Sequence, residues 1–175
     1  GQGSCDDADA GYYVDSTAAT TQTACLAGTY NPNTAATSSS DCTDADAGYY
    51  ASSAGSASQT ACAAGTYQPN TGQISCTDAD AGYYVSTTAS PLQIACHAGT
   101  YQPFTAQTSC DDADVGYYVP STAAASQTAC AAGTYQPSTG QSSCVDADAG
   151  YFVPSTAATS QTACSAGTYQ PNTGQ

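Results

Sequence analysis

Two residue types recur along this chain at spacings that could do chemistry. Asp-Ala-Asp stands at Asp7/Asp9, Asp44/Asp46, Asp78/Asp80, Asp112/Asp114 and Asp146/Asp148, and in every copy a glycine follows two residues later. A D-x-D-x-G string shares two carboxylates and a glycine with calcium loops, and Ca²⁺ takes oxygen ligands. The third acidic position and the downstream Glu of such loops are absent. The first reading is therefore a solvated turn that keeps like-charged segments apart, and calcium at these ten aspartates is the alternative. The second type is cysteine, at Cys5, Cys25, Cys42, Cys62, Cys76, Cys96, Cys110, Cys130, Cys144 and Cys164. No C-x-x-C occurs, so the usual zinc spacing is missing. Regular recurrence points instead to structural bridges made in an oxidising compartment.

Other chemistry finds little material. His97 is the single histidine and takes a place held elsewhere by Leu26, Ala63, Ala131 and Ser165. No nucleophile, base and orienting group can be assembled around it or around any serine, so the chain is not expected to be an enzyme and no cofactor is expected. There is no Lys or Arg, all 14 acidic residues are Asp, and the net charge is -14. Nucleic acid is excluded as a partner, because phosphate contacts are made by the cations this chain lacks. Anionic membrane surfaces are disfavoured on the same ground. No apolar run approaches the roughly 20 residues that span a bilayer, and no signal peptide is visible.

The elements that must position these residues cannot rest on a large aliphatic interior. Leu, Ile, Val and Phe together number 12 of the 175 residues, about 7%, where chains below roughly 20% are expected to be disordered. Much of the remaining apolar material is Ala, 14 Tyr and 10 Cys. Order must come from cross-links and from aromatic rings. The cysteine spacings run 20, 17, 20, 14, 20, 14, 20, 14 and 20, which gives a period of 34 with a first unit of 37. The insertion falls in Thr37-Ser38-Ser39-Ser40-Asp41, a polar loop where added length costs little closure entropy. Five tandem units follow, at 1–41, 42–75, 76–109, 110–143 and 144–175.

Each unit has two halves, exemplified by Cys144 to Cys164 and Cys130 to Cys144. Both read as versions of one motif: a Gly, an aromatic two residues on, a turn rich in Pro, Ser and Thr, then Gln or Ser before the closing Cys. The repeated Gly suits a positive φ or a close approach. The aromatics at Tyr13, Tyr30, Tyr50, Tyr67, Tyr84, Tyr101, Tyr118, Tyr135, Phe152 and Tyr169 are a candidate stacked row. Pro32, Pro69, Pro103, Pro137 and Pro171 begin turns. No segment has helical periodicity, so the expected fold class is small disulfide-rich repeats, mostly irregular with short β-hairpins, in an elongated rod-like array. Gly1-Gln2-Gly3-Ser4-Cys5 matches Gly72-Gln73-Ile74-Ser75-Cys76, and Thr173-Gly174-Gln175 matches Thr71-Gly72-Gln73. The two ends share one phase of the repeat, as expected of a window on a longer array or of a protomer that joins head to tail.

The short half, C-x-x-G-T-Y with a closing Cys fourteen residues on, resembles the first-loop module of tumour necrosis factor receptor cysteine-rich domains and the related ephrin-receptor-like repeats. It stands at Cys62 to Cys76, Cys96 to Cys110, Cys130 to Cys144 and, with the insertion, Cys25 to Cys42. In those families x-x-Cys follows and opens a further loop. Here that place holds Ala8, Ala45, Ala79, Ala113 and Ala147, and the place of its closing partner holds Gln22, Gln59, Gln93, Gln127 and Gln161. Two pairing frames remain open. One joins Cys5 to Cys25, Cys42 to Cys62 and onward. The other, which the resemblance, the coordinated Ala/Gln replacements and the phase of the ends favour, joins Cys25–Cys42, Cys62–Cys76, Cys96–Cys110 and Cys130–Cys144 and leaves Cys5 and Cys164 to pair outside the chain.

About a quarter of the residues are Ser or Thr, often beside Pro or Ala as in Pro120-Ser121-Thr122. No N-x-[ST] acceptor exists, and the composition suits O-linked glycans on an extracellular stalk. The expectation is a structural extracellular or cell-surface protein forming a rod, filament or stalk. The alternative is the ligand-binding ectodomain of a receptor or adhesin, which the resemblance suggests.

Overall fold

The computed structural model describes residues 4–175; Gly1, Gln2 and Gly3, whose match to Gly72-Gln73-Ile74 enters the phase of the repeat, lie outside the described residues. Among the described residues the chain forms nine antiparallel two-stranded hairpins and one short 3₁₀ turn at Ser39–Asp41. The structural period is half the cysteine period. Gly11 and Gly28 begin successive modules 17 residues apart, the insertion lengthens the next step to Gly48, and the 17-residue spacing then holds through Gly65, Gly82, Gly99, Gly116, Gly133, Gly150 and Gly167.

Each module is set by its glycine. The amide of Tyr12 donates to the Asp9 carbonyl at 3.0 Å, closing a four-residue turn whose third residue is Gly11 at φ +87°. In the next module Thr29 donates to Leu26 at 3.0 Å around Gly28 at φ +90°. A left-handed third residue is the type II requirement and selects Gly. A side chain at Gly28 would also overlap the Gly72 carbonyl oxygen. The residues leaving the turn are Tyr-Tyr, Thr-Tyr or, at Tyr151–Phe152, Tyr-Phe, good strand formers. They pair with the strand that enters the following module: Tyr12 with Ala24 and Tyr13 with Thr23, then Thr29 with Asp44 and Tyr30 with Thr43.

Two-residue strands are marginal alone, and the modules are held by bonds to their neighbours. Contacts divide the chain into two compact units, residues up to 78 with 85–93 and residues 79–84 with 94–175. In the first, the module glycine amide donates to the carbonyl three residues past the next glycine: Gly11 to Asn31, Gly28 to Ala51, Gly48 to Gln68 and Gly65 to Val85, at 2.7–2.8 Å. Two more bonds complete each junction, as in Asn31 to Ser56 at 3.1 Å and Gly55 to Cys25 at 2.9 Å. The second unit repeats the scheme with Gly99 to Val119, Gln102 to Ala124 and Ala123 to Cys96 at 2.8, 3.0 and 2.8 Å.

Small residues fill the interior of each unit. Cys25, Ala45 and Cys62 in the first, and Ala79, Cys96, Ala113, Cys130 and Ala147 in the second, are buried, and all stand three residues before a module glycine. A second buried set lies three residues after the glycine: Asn31, Ala51, Gln68 and Val85 in the first unit, then Gln102, Val119, Gln136 and Val153 in the second. The tyrosines expected to form a spine are half-buried, and Phe152 and Tyr169 are exposed. Deep burial belongs to Ala, Cys, Val and the amide side chains Asn31, Gln68, Gln102 and Gln136, and the backbones of the modules approach so closely that a Cβ at Gly28 or Gly48 would already overlap a carbonyl.

Candidate functional site

The repeated chemistry of the chain resolves into two clamps that alternate along the modules. One is the disulfide. Cys25–Cys42, Cys62–Cys76, Cys96–Cys110 and Cys130–Cys144 are bridged with Cα–Cα distances of 5.7–5.8 Å. Each bridge links the cysteine three residues before one glycine to the cysteine six residues before the next. This is the second of the two frames open in the sequence. Cys5 and Cys164 form no bridge among the described residues; Cys5 is exposed and Cys164 half-buried. Cys5 lies beside a groove of about 870 Å³ lined also by Asp9, Val14, Ala19, Gln22 and Thr37.

The other clamp closes the corresponding loop of the intervening modules, where Ala and Gln replace the two cysteines. The Asp46 amide donates to Gln59 Oε1 at 2.6 Å, and Gln59 Nε2 donates to Asp46 Oδ2 at 2.7 Å. The same reciprocal pair joins Asp9 to Gln22 at 2.8 and 2.7 Å, Asp114 to Gln127 at 2.7 and 2.6 Å, and Asp148 to Gln161 at 2.7 and 2.6 Å. Asp80 and Gln93 are both engaged as well.

The clamps explain the second aspartate of four of the Asp-Ala-Asp motifs, Asp9, Asp46, Asp114 and Asp148. Its carboxylate holds the Gln amide across the loop, and the carboxylate is itself a charged acceptor, which strengthens the bond. The first aspartate goes elsewhere in three motifs: Asp44, Asp112 and Asp146 lie on strands and sit against Gly72, Gly140 and Gly174 of neighbouring modules, where an added Cβ would fall 3.3–3.6 Å from the carboxylate carbon. The two carboxylates of Asp44/Asp46, Asp112/Asp114 and Asp146/Asp148 thus serve different partners. Among the described residues no three His, Cys, Asp or Glu side chains are grouped to hold a metal ion.

Three buried glutamines were not singled out in the sequence. Gln68, Gln102 and Gln136 each donate Nε2 to a carbonyl seven residues on, that of Ser75, Ser109 and Ser143, at 2.8–2.9 Å. Their Oε1 atoms accept from the amides of Asn70, Phe104 and Ser138 at 3.1–3.2 Å. The signal was their recurrence before Pro69, Pro103 and Pro137. Asn31 takes this place in the module with the insertion; its Oδ1 accepts from the Asn33 amide at 3.0 Å, but Nδ2 is buried with no partner. His97 is exposed, with Nδ1 2.8 Å from the Ala98 carbonyl oxygen. Burial raises the Tyr101 phenol above its ordinary value, and the nearby Asp114 and Asp111 carboxylates add to the shift.

No protein-family model matches this chain, and no curated protein matches it. Among the described residues no helix is long and apolar enough to cross a membrane.

Proposed function

We propose that the chain is a structural extracellular protein, a segment of a rod, filament or stalk built from tandem hairpin modules. The observation that carries this reading is the three-bond junction repeated from module to module within each unit. An array in which each module bonds its neighbour by one recurring pattern can be extended without limit. Four disulfides fit an oxidising compartment. The resemblance to receptor cysteine-rich repeats rests on the short C-x-x-G-T-Y motifs, and O-linked glycans on the Ser- and Thr-rich surface belong to the same proposal.

Cys164 and Cys5 hold the two positions that are bridged at every other disulfide module. In this reading they pair outward, with a continuation of the chain or with a second copy joined head to tail. Electron microscopy of the purified protein tests the rod: extended particles of constant width support it, and compact monodisperse particles overturn it. Non-reducing peptide mapping tests the outward pairing. A Cys164 peptide joined to a Cys5 peptide identifies head-to-tail copies, a new cysteine peptide identifies chain continuation, and free thiols at both sites refute the pairing.

A further inference from the structure

The ten modules act as an internal alignment, and one exposed position in them is retained although its hydroxyl makes no hydrogen bond among the described residues; where Thr71, Thr105, Thr139 and Thr173 are bonded, it is through the backbone carbonyl, which any residue supplies. Six residues after the module glycine stand Thr17, Thr34, Thr71, Thr88, Thr105, Thr122, Thr139, Thr156 and Thr173, with Ala54 the one exception. All nine are exposed. The residue just before them varies freely among Ser, Asn, Thr and Phe.

Two other recurring threonine positions of the repeat have structural explanations. Thr29, Thr66, Thr100, Thr134 and Thr168 donate their hydroxyls to the carbonyl three residues back at 2.8–2.9 Å, fastening the glycine turn. Thr23, Thr43, Thr60, Thr77, Thr128 and Thr162 lie on strands, where a β-branched residue is favoured. That strand position also yields to Ile94, Asp111 and Val145. The nine exposed threonines lie in a turn, immediately before a residue at positive φ such as Ala18 at 56° or Gly72 at 68°. Turns favour Gly, Pro, Asn, Asp and Ser over Thr, which is the weaker turn former, and no hydrogen bond of the hydroxyl selects Thr there.

We infer that these nine threonines are the O-glycosylation acceptors of the array, one for each module that carries the residue. The inference rests on the glycan reading proposed above and assigns its sites. In the transfer, Thr Oγ1 forms a bond to the anomeric carbon of a nucleotide- or lipid-phosphate-linked sugar. The bond from that carbon to the donor phosphate breaks, the phosphate leaves with the electron pair, and the hydroxyl proton passes to a base of the glycosyltransferase. The turn-fastening hydroxyls are unsuited, because each donates within its own turn.

The test is peptide mapping of the protein from its producing cells, cut with an Asp-directed protease and fragmented by electron transfer so that sugars stay attached. The expected result is sugar mass on the nine exposed threonines and none on Thr29, Thr66, Thr100, Thr134 or Thr168. Bare threonines at the nine positions, or equal occupancy of the two sets, overturns the inference. Replacing Thr122 and Thr139 by Ala should remove two occupied sites and leave the denaturation midpoint of unglycosylated protein unchanged; a loss of stability there would instead assign them a structural role and overturn the inference. Rod shape is read separately by microscopy, so failure of the glycan assignment and failure of the rod reading are distinguishable.

Discussion

Replacing Ala45 and Gln59 together by Cys should convert one Asp–Gln clamp into a fifth disulfide. Ala45 and Cys62 hold the same place in successive modules: both are buried, and both amides donate to the preceding module glycine at 2.9 Å. The separation from 45 to 59 equals the 14 residues between Cys62 and Cys76, whose Cα atoms are 5.8 Å apart, within the range a bridge requires. Closing such a loop contributes about 3 kcal/mol on the chain-entropy model. The two hydrogen bonds lost from Gln59 are solvent-exposed and together contribute about 1–2 kcal/mol. The net gain should be about 1–2 kcal/mol, read as a rise in the urea midpoint of the oxidised variant that disappears on reduction of the new bridge. The reasoning is refuted if both new thiols remain open to alkylation while the four native bridges are intact. A bridged variant with a midpoint below the parent's would refute it equally.

Three further outcomes follow from the same geometry. Gly28→Ala should destabilise by about 3 kcal/mol or more, since φ +90° and the Gly72 carbonyl both oppose a side chain, whereas Gly72→Ala should cost about 1 kcal/mol or less because Ala35, Ala89 and Ala106 already occupy its place at φ 56–58°; equal losses in denaturant titrations would contradict this. Asn31→Gln combined with removal of residues 37–39 should recreate the Gln68 arrangement, satisfy the orphaned amide and gain about 1–2 kcal/mol, and a lower midpoint than the parent's would show that the insertion has its own structural role. For Tyr101 the raised folded pKa means that the folded state holds the phenol proton more tightly than the unfolded chain does. Its contribution is complete below the unfolded value of about 10 and is lost as pH rises through the folded value, so Tyr101→Phe should flatten the decline in stability above about pH 10, and parallel profiles for parent and variant would count against the shift.

Much of this was legible because the repeat is strict. The hairpins, the glycine turns and the likeness of the two halves could all be read from the residues. The 17-residue period was hidden, because cysteine marks every second module while the backbone is set by the glycine turn and strand pair common to all of them. The buried glutamines escaped for a related reason: Gln beside Pro reads as a polar turn, and only the seven-residue reach from Gln68 to the Ser75 carbonyl makes its burial tolerable. The Asp-Ala-Asp motif is the sharper case. In a calcium loop two such carboxylates converge on one ion, but here Asp44 lies on a strand against Gly72 while Asp46 opens the turn around Gly48 and holds Gln59, so each carboxylate is committed to a different neighbour. Asp46 occurs with Gln59, and the disulfide modules lack both; that co-occurrence within the repeat was the one signal that tied the aspartate to its amide.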